Sequence, residues 1–273
     1  MNICICQLIK DEQRYIEEWI DYYLNFGISK FILFEDWNST SHNDVLSKYG
    51  DKVILHKYND IVTKDDTKYF TETRQEVIWS VFWRMYKDKF DACLFIDPDE
   101  YLNCSPENFL EEVEYFKNDP NVHSIYYRWL TRTASGHIKD PYPNKTYSVV
   151  KTYTNVLYGY NMINKLSEYN NKDYNFQRKH LIYLNKLKTV NDFQAPHGDD
   201  NYHYEQESLF KLNHYVTKSW EEYKWRLLIK GEQVKKWGRR LEDFFVINQD
   251  LLPYKEELIN ECKELDYKYN DEI

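Results

Sequence analysis

Three acidic side chains close one short apolar run: Ala92-Cys93-Leu94-Phe95-Ile96 leads directly into Asp97-Pro98-Asp99-Glu100. Carboxylates this close repel one another in a confined site unless a cation sits among them, and hard divalent ions take carboxylate oxygens. A metal site at Asp97 and Asp99, holding Mn²⁺ or Mg²⁺, is one chemistry the spacing supports. A D-x-D is short and common, so a solvated acidic turn cornered by Pro98 is the competing reading. The residues in front of it favour the metal. The run has no polar alternation and no glycine, as in a strand covered on both faces at the centre of a parallel sheet. Pro98 cannot donate to a ladder and holds its predecessor extended, so Asp97 is expected as the last strand residue and Asp99 in the loop. The acids then stand at the carboxyl end of a central strand, the edge where open α/β sheets bind ligands.

The elements that must position them are read from periodicity. Residues 3–9 make a first strand, and from Arg14 the apolar residues Tyr15, Ile16, Trp19, Ile20, Tyr23 and Leu24 recur at helical spacing, with Asp11 placed to cap and Gly27 to terminate. Lys30 to Phe34 is a second strand that ends in the polar turn Glu35-Asp36-Trp37-Asn38-Ser39-Thr40-Ser41. A short helix over 43–49 precedes a third strand at Val53 to His56. This βαβαβ alternation predicts an α/β fold with a parallel, right-handed half-sheet. A helix over Glu72 to Tyr86 packs behind the acidic strand and carries Arg74 in its first turn, as a surface residue or as a phosphate or base contact. Leu209 to Tyr215 reads as a strand delivering His214, and Ser219 starts a helix over 220–229. Two terminal helices, 241–251 and 258–267, carry charged faces. No G-x-G-x-x-G follows the first strand and no G-x-x-x-x-G-K-[ST] occurs anywhere, which argues against a glycine-rich phosphate cradle.

With 273 residues the chain has ample material for one large domain or one domain with an appendage. A net charge of −9 argues against a nucleic-acid binder that relies on phosphate neutralisation. The 26 tyrosines suit sugar-stacking surfaces, although compositional drift in a chain rich in Asn, Lys and Ile produces the same count. Five cysteines, with Cys4 and Cys6 on one apparent strand, read as buried thiols in a reducing compartment rather than a disulfide framework. The amino terminus lacks a basic leader and no window approaches membrane-spanning length, so the expected setting is cytoplasmic. Lys235, Lys236, Arg239 and Arg240 form a basic cluster that suits either solvent or peripheral contact with anionic lipid.

Taken in order, Lys10-Asp11-Glu12, Glu17-Glu18-Trp19 with Tyr22-Tyr23, Phe34-Glu35-Asp36-Trp37-Asn38-Ser39-Thr40, Arg74 and Phe95-Ile96-Asp97-Pro98-Asp99-Glu100-Tyr101-Leu102 resemble family-2 and family-92 type glycosyltransferases. Ser135-Gly136-His137 and Asn164-Lys165 fit the family pattern loosely. His214-Tyr215-Val216-Thr217-Lys218-Ser219-Trp220-Glu221-Glu222-Tyr223 closes it, covering residues 3–231. The resemblance implies the GT-A fold: a Rossmann-like, mostly parallel mixed sheet flanked by helices over 1–231, with a C-terminal helical extension over 232–273 packed on the same domain. It implies a nucleotide-sugar donor, UDP-sugar favoured, and a glycan or glycolipid acceptor. Gln7, Lys10, Glu12, Asp36 and Asn38 would hold base and ribose. Asp97 and Asp99, with His214, would hold the metal, and Lys218 would meet the diphosphate. The second acid usual in the family's D-x-x-S-x-D turn is missing after Asp36.

Inverting transfer needs a carboxylate to take the acceptor proton. Asp200 and Asp199, in the acidic loop 196–203, are the candidates, followed by Glu207; a solvated loop is the plain alternative. The stretch 128–143, with its small residues, suits an acceptor or donor-sugar wall. Two other classes fit parts of the pattern. A metal-dependent phosphoesterase or nucleotidyltransferase would use the same acids, and a noncatalytic sugar-binding module would use the aromatics alone.

Overall fold

A computed structural model describes residues 1–64, 66, 74–141, 147–157, 178–187, 205–228 and 241–270. The chain divides into two compact units, 1–129 with 162–213 and 130–161 with 214–273. The expected domain boundary at 231/232 lies outside the described residues.

The first unit is built on a mixed sheet flanked by helices. Its strands are β1 (Ile3–Ile9), β2 (Lys30–Glu35), β3 (Val53–Lys57), β4 (Ala92–Phe95), β5 (Glu100–Leu102), β6 (Ser124–Thr131), β7 (Arg178–Tyr183) and β8 (Glu205–His214), of which the end residues Leu130, Thr131 and His214 count with the second unit. They lie in the order β3-β2-β1-β4-β7-β6-β8-β5. The pairs β3–β2, β2–β1 and β1–β4 are parallel, as the βαβαβ reading requires. Beyond β4 the direction reverses, with β4–β7 and β7–β6 antiparallel.

Helices α1 (Ile16–Asn25), α2 (Asn43–Leu46), α3 (Tyr58–Ile61), α4 (Arg74–Tyr86) and α5 (Pro106–Lys117) belong to this unit. Alternation decides which strand residues meet α4. Cys4, Cys6, Ile32, Phe34, Cys93, Phe95 and Ile182 form one cluster with Ile78, Trp79, Val81, Phe82 and Tyr86. All five cysteines are free thiols, and burial pushes the Cys6 and Cys93 thiols up, which keeps them protonated. Helix α5 starts on an orthodox signal: Pro106 fills the first turn and the Ser105 hydroxyl accepts the Asn108 N–H.

Two boundaries in this unit, the start of α1 and the end of β4, differ from the sequence expectation. Helix α1 ends at Gly27 as expected, with φ +79° and its N–H on the Leu24 carbonyl. Its start is different, because Asp11 does not cap it. Asp11 takes φ +51° and turns its Oδ1 to the N–H and hydroxyl of Thr40, both at 2.8 Å. Strand β4 stops at Phe95, short of Asp97. The Asp97 carbonyl accepts the Glu100 N–H at 3.0 Å, so a local turn captures backbone that a ladder would have used.

The second unit holds α6 (Val149–Thr152), α7 (Trp220–Leu228), α8 (Leu241–Ile247) and α9 (Lys255–Asn270). Trp220, Tyr223, Leu227, Phe244, Phe245, Leu251, Leu258 and Cys262 make its core with Ala134. Helix α8 stops four residues earlier than expected. Asn248 folds its side-chain amide onto the Phe244 carbonyl and accepts the Ala134 N–H, and a 3₁₀ turn over Gln249–Tyr254 containing Pro253 comes next. Among the described residues no helix is long and apolar enough to cross a membrane.

The core cluster under β4 makes a direct test of this packing. Phe95 is 1% exposed, with its ring 5.9 Å from Trp79 and 5.8 Å from Phe82. Phe95→Ala should cost about 3–5 kcal/mol in urea unfolding. A cost below about 1 kcal/mol would remove Phe95 from the tightly packed core.

Candidate active site

The chain runs from β1 to β2 to β3 on one side and returns to β4 on the other side of β1. The strand order therefore switches between β1 and β4, where open α/β sheets leave a crevice at their carboxyl edge. Gln7 stands near the end of β1 and Asp97 just beyond β4. The Gln7 Nε2 donates to Asp97 Oδ1 at 2.7 Å, and the Gln75 Nε2, from the first turn of α4, donates to the same oxygen at 2.8 Å. A carboxylate only accepts, so both amides must present their nitrogens. Gln7, expected at base and ribose, is tied by this bond to the acidic turn.

The turn itself is braced from inside. Asp97 N–H donates to Glu100 Oε2 at 2.8 Å, and Glu100 is fully buried, so the third acid serves the backbone of the turn. Helix α1 satisfies the backbone of β5 beyond it. Trp19 Nε1 and the Tyr23 hydroxyl donate to the Glu100 carbonyl at 3.2 and 3.1 Å. The Tyr23 hydroxyl also accepts the Leu102 N–H at 3.1 Å, and the Tyr22 hydroxyl donates to the Leu102 carbonyl at 2.6 Å. Positions 19, 22 and 23 share a helix face, which is why one helix reaches so many polar groups of so short a strand. Asp99 is 7% exposed.

The end of β2 carries the second half of the crevice. Asp36 donates its N–H to the Ile9 carbonyl at 2.9 Å, and its buried carboxylate pairs with Arg74 Nη1 at 2.9 Å. Trp37 beside it is 65% exposed, with the Arg74 guanidinium 5.7 Å from its ring. Burial pushes the Tyr58 phenol up; Arg74 opposes this, and Asp36 and Asp66 add to it, so all four groups share one electrostatic environment. The turn after Asp36 is clasped to residues 11–13. Gln13 donates to Thr40, and the Glu12 N–H donates to the buried His42 Nε2 at 3.0 Å. An accepting Nε2 leaves the proton on His42 Nδ1, 2.9 Å from Glu35 Oε1. Lys10 and Glu12, both partly buried, ride on this clasp, while Asn38 is exposed.

The remaining expected residues fall elsewhere. Asp199 and Asp200 lie outside the described residues, as do Asn164, Lys165 and the basic cluster 235–240. Glu207 is gripped by Arg128 Nε at 2.7 Å and by Tyr126, and these bonds hold its carboxyl below the usual range. That grip makes it a poor proton acceptor. His214 and Lys218 belong to the second unit, 6% and 2% exposed, and Lys218 takes φ +52°, a strained state for a side chain of its size. Next to Lys218, Ser219 donates its N–H to the Tyr153 hydroxyl and caps α7 by accepting the Glu222 N–H.

Among the described residues no three His, Cys, Asp or Glu side chains surround a single point as a protein-only metal cage would. Two carboxylates at one strand end fit the other way of holding Mg²⁺ or Mn²⁺, in which water and substrate phosphates supply the rest of the shell.

No family model matches the chain, and no curated protein matches it. Solved structures with some likeness include glucosyl-3-phosphoglycerate synthase from Mycobacterium tuberculosis in complex with Mn²⁺ and UDP-glucose, at 13% identity and TM-score 0.35, covering 67% of this chain and 56% of that one. S. aureus TarS 1–349 in complex with UDP is similar at 13% identity and TM-score 0.32, covering 49% of this chain and 36% of that one. A mycobacterial protein scores 0.36 at 13% identity, with 67% and 53% covered. The chain thus spans about half the length of these structures or less.

Sequence reading missed Gln75, the tyrosine braces and His42. Tyr23→Phe tests the brace: it strands the buried Leu102 N–H at a cost of about 1–3 kcal/mol in chemical denaturation. Stability equal to wild type would show that the hydroxyl does not hold the turn.

Proposed function

We propose that this chain is a GT-A type glycosyltransferase that moves a sugar from a nucleoside-diphosphate donor, UDP-sugar favoured, to a hydroxyl of a glycan or lipid-linked acceptor, with inversion. The observation that carries the reading is the switch-point crevice. It brings an acidic turn after β4 and an Asp36–Arg74 pair after β2 to either side of β1, at one sheet edge. A dinucleotide cradle would need glycines at the end of β1, and this chain has Lys10-Asp11-Glu12 there.

Each residue then has a task. Asp36 accepts from a nucleobase N–H or a ribose hydroxyl, and Arg74 fixes the carboxylate that does so. Trp37 offers an exposed ring to stack against the base. Lys10, Glu12 and Asn38 line the approach to the nucleoside. Asp97 and Asp99 hold Mn²⁺ or Mg²⁺. When bound, the ion neutralises charge developing on the departing diphosphate. His214 as a further ligand and Lys218 against the diphosphate belong to the same proposal and rest on the family resemblance. Asp200, with Asp199 as its neighbour, takes the proton of the acceptor hydroxyl. The basic cluster at 235–240 offers peripheral contact with an anionic membrane in the cytoplasm.

The discriminating measurement is a thermal-shift panel of nucleoside diphosphates and nucleotide sugars, with and without Mn²⁺, on wild type and Asp99→Ala. A ligand at one hundred times its Kd stabilises the folded state by about 2.7 kcal/mol. UDP or a UDP-sugar is expected to raise the melting temperature in the presence of Mn²⁺ and to lose that effect in Asp99→Ala. Absence of any nucleotide effect on wild type under every metal condition would end the transferase reading and favour a sugar-binding module.

A further inference from the structure

His42 is wholly buried and bonded at both ring nitrogens. The Glu12 N–H meets Nε2 at 3.0 Å, and a backbone N–H can only donate, so that nitrogen carries no proton. The proton is on Nδ1, 2.9 Å from Glu35 Oε1, and the same oxygen accepts the His42 N–H at 2.8 Å. The ring is a neutral bridge from the end of β2 to the start of α1, because the Glu12 carbonyl in turn accepts the N–H groups of Tyr15 and Ile16, both at 2.9 Å. Asp11 and Gln13 tie the same two loops together through Ser39, Thr40 and Ser41, from positions that water reaches. Water replaces an exposed bond at little cost, whereas a bond to a ring without exposure is costly to leave unmade.

We propose that His42 is a positioning residue for the nucleoside of the donor: as a neutral imidazole it locks residues 10–13 to residues 36–42, and a proton gained by the ring opens that lock. The proposal rests on the assignment of the nucleoside to this side of the crevice. Asp36 and Trp37 begin the segment that His42 ends, and Lys10 and Glu12 stand in the segment it holds, so both walls assigned to the nucleoside take their spacing from this ring. A proton on Nε2 would set two donors against each other across 3.0 Å, and the Glu12 N–H would have to turn away. The charged groups on the elements around the ring are Glu35 of β2, Lys10, Asp11, Glu12 and Arg14 before α1, Glu17, Glu18 and Asp21 of α1, Asp44 of α2, and Lys48, which pairs with Glu17 at 3.0 Å. These stay the same when position 42 is changed, so a difference between variants belongs to the imidazole.

The test measures UDP binding to the full chain by isothermal titration calorimetry with Mn²⁺ present, at about pH 7.5 and about pH 5.5, within the span over which histidine changes charge. Melting temperatures recorded at both pH values ensure that affinity is read on folded protein. His42→Gln places an amide oxygen where Nε2 stands and cannot take up a proton. His42→Asn reaches only as far as Nδ1 and leaves the Glu12 N–H unmet. On acidification wild type is expected to lose about tenfold more affinity than His42→Gln, the scale of one buried hydrogen bond left unmade. At the higher pH His42→Asn is expected to bind UDP about tenfold more weakly than His42→Gln, for the same reason. A merely structural side chain would move melting temperatures and leave the pH dependence of wild type and His42→Gln parallel. Parallel dependence, with UDP bound, overturns the positioning role and leaves the donor site standing. If His42→Asn fails to fold, the comparison of wild type with His42→Gln carries the test. A check that needs no variant is the imidazole ¹⁵N chemical shift of the metal-free wild type, where a protonated Nε2 at the higher pH overturns the proposal. Failure of wild type to bind UDP at either pH removes the donor reading and the positioning role together.

Discussion

Placing three carboxylates and a tight backbone turn at the end of a buried strand is the constraint around which the first unit is arranged. A turn there exposes N–H and C=O groups to a low-dielectric interior, and each one left unpaired costs about 1–3 kcal/mol. The chain commits one of the three acids to this problem. Glu100 turns back to the Asp97 N–H and is fully buried. Its own carbonyl and the Leu102 backbone are then satisfied from α1. What looks in the sequence like a cluster of three equivalent acids contains one, Glu100, that is turned inward onto the backbone of the turn.

This division explains why an amphipathic helix at the start of the chain carries aromatic residues with polar tips. Trp19 and Tyr23 fill the core with rings and place N–H and O–H groups on strand β5, as buried aromatic donors must find partners. Phe or Leu at these positions would pack as well and leave the turn unsupported. The neighbouring clasp, from Glu35 through His42 to the Glu12 N–H, does similar work for the loop after β2. Both devices hold backbone in place with side chains, which suits a crevice lined by loops on a rigid sheet edge.

The parallel half of the sheet is legible in the sequence because its strands are apolar runs of the right length, punctuated by Gly27 and by the polar turns after Glu35 and Asp97. Its antiparallel continuation is not. Strand β7 spans Arg178–Tyr183, and nothing in the local pattern of that segment tells a parallel neighbour from an antiparallel one. An acid standing before an apolar helical face reads as a cap, yet the Asp11 carboxylate finds Thr40 instead, a partner 29 residues away. The acidic turn and Asp36 are legible from residue type. Gln75 is not, since a glutamine on a helix gives no sign of its target until the helix is docked.

Asp36 and Asp97 show how that docking sorts two like side chains into different tasks. Both stand at the sheet edge, on either side of β1, and both receive a hydrogen bond from the first turn of α4. Arg74 and Gln75 are consecutive, so their side chains leave the helix about 100° apart and reach different strand ends. Asp36 receives a guanidinium and Asp97 an amide. The guanidinium sets a positive charge against the buried carboxylate of Asp36. The amide reaches Asp97 without bringing a charge of its own. Exchanging the two residues would bring the guanidinium to the acidic turn after β4 and the amide to the end of β2. The order Arg-Gln, rather than the presence of either residue, decides which aspartate meets a charged donor from α4 and which a neutral one.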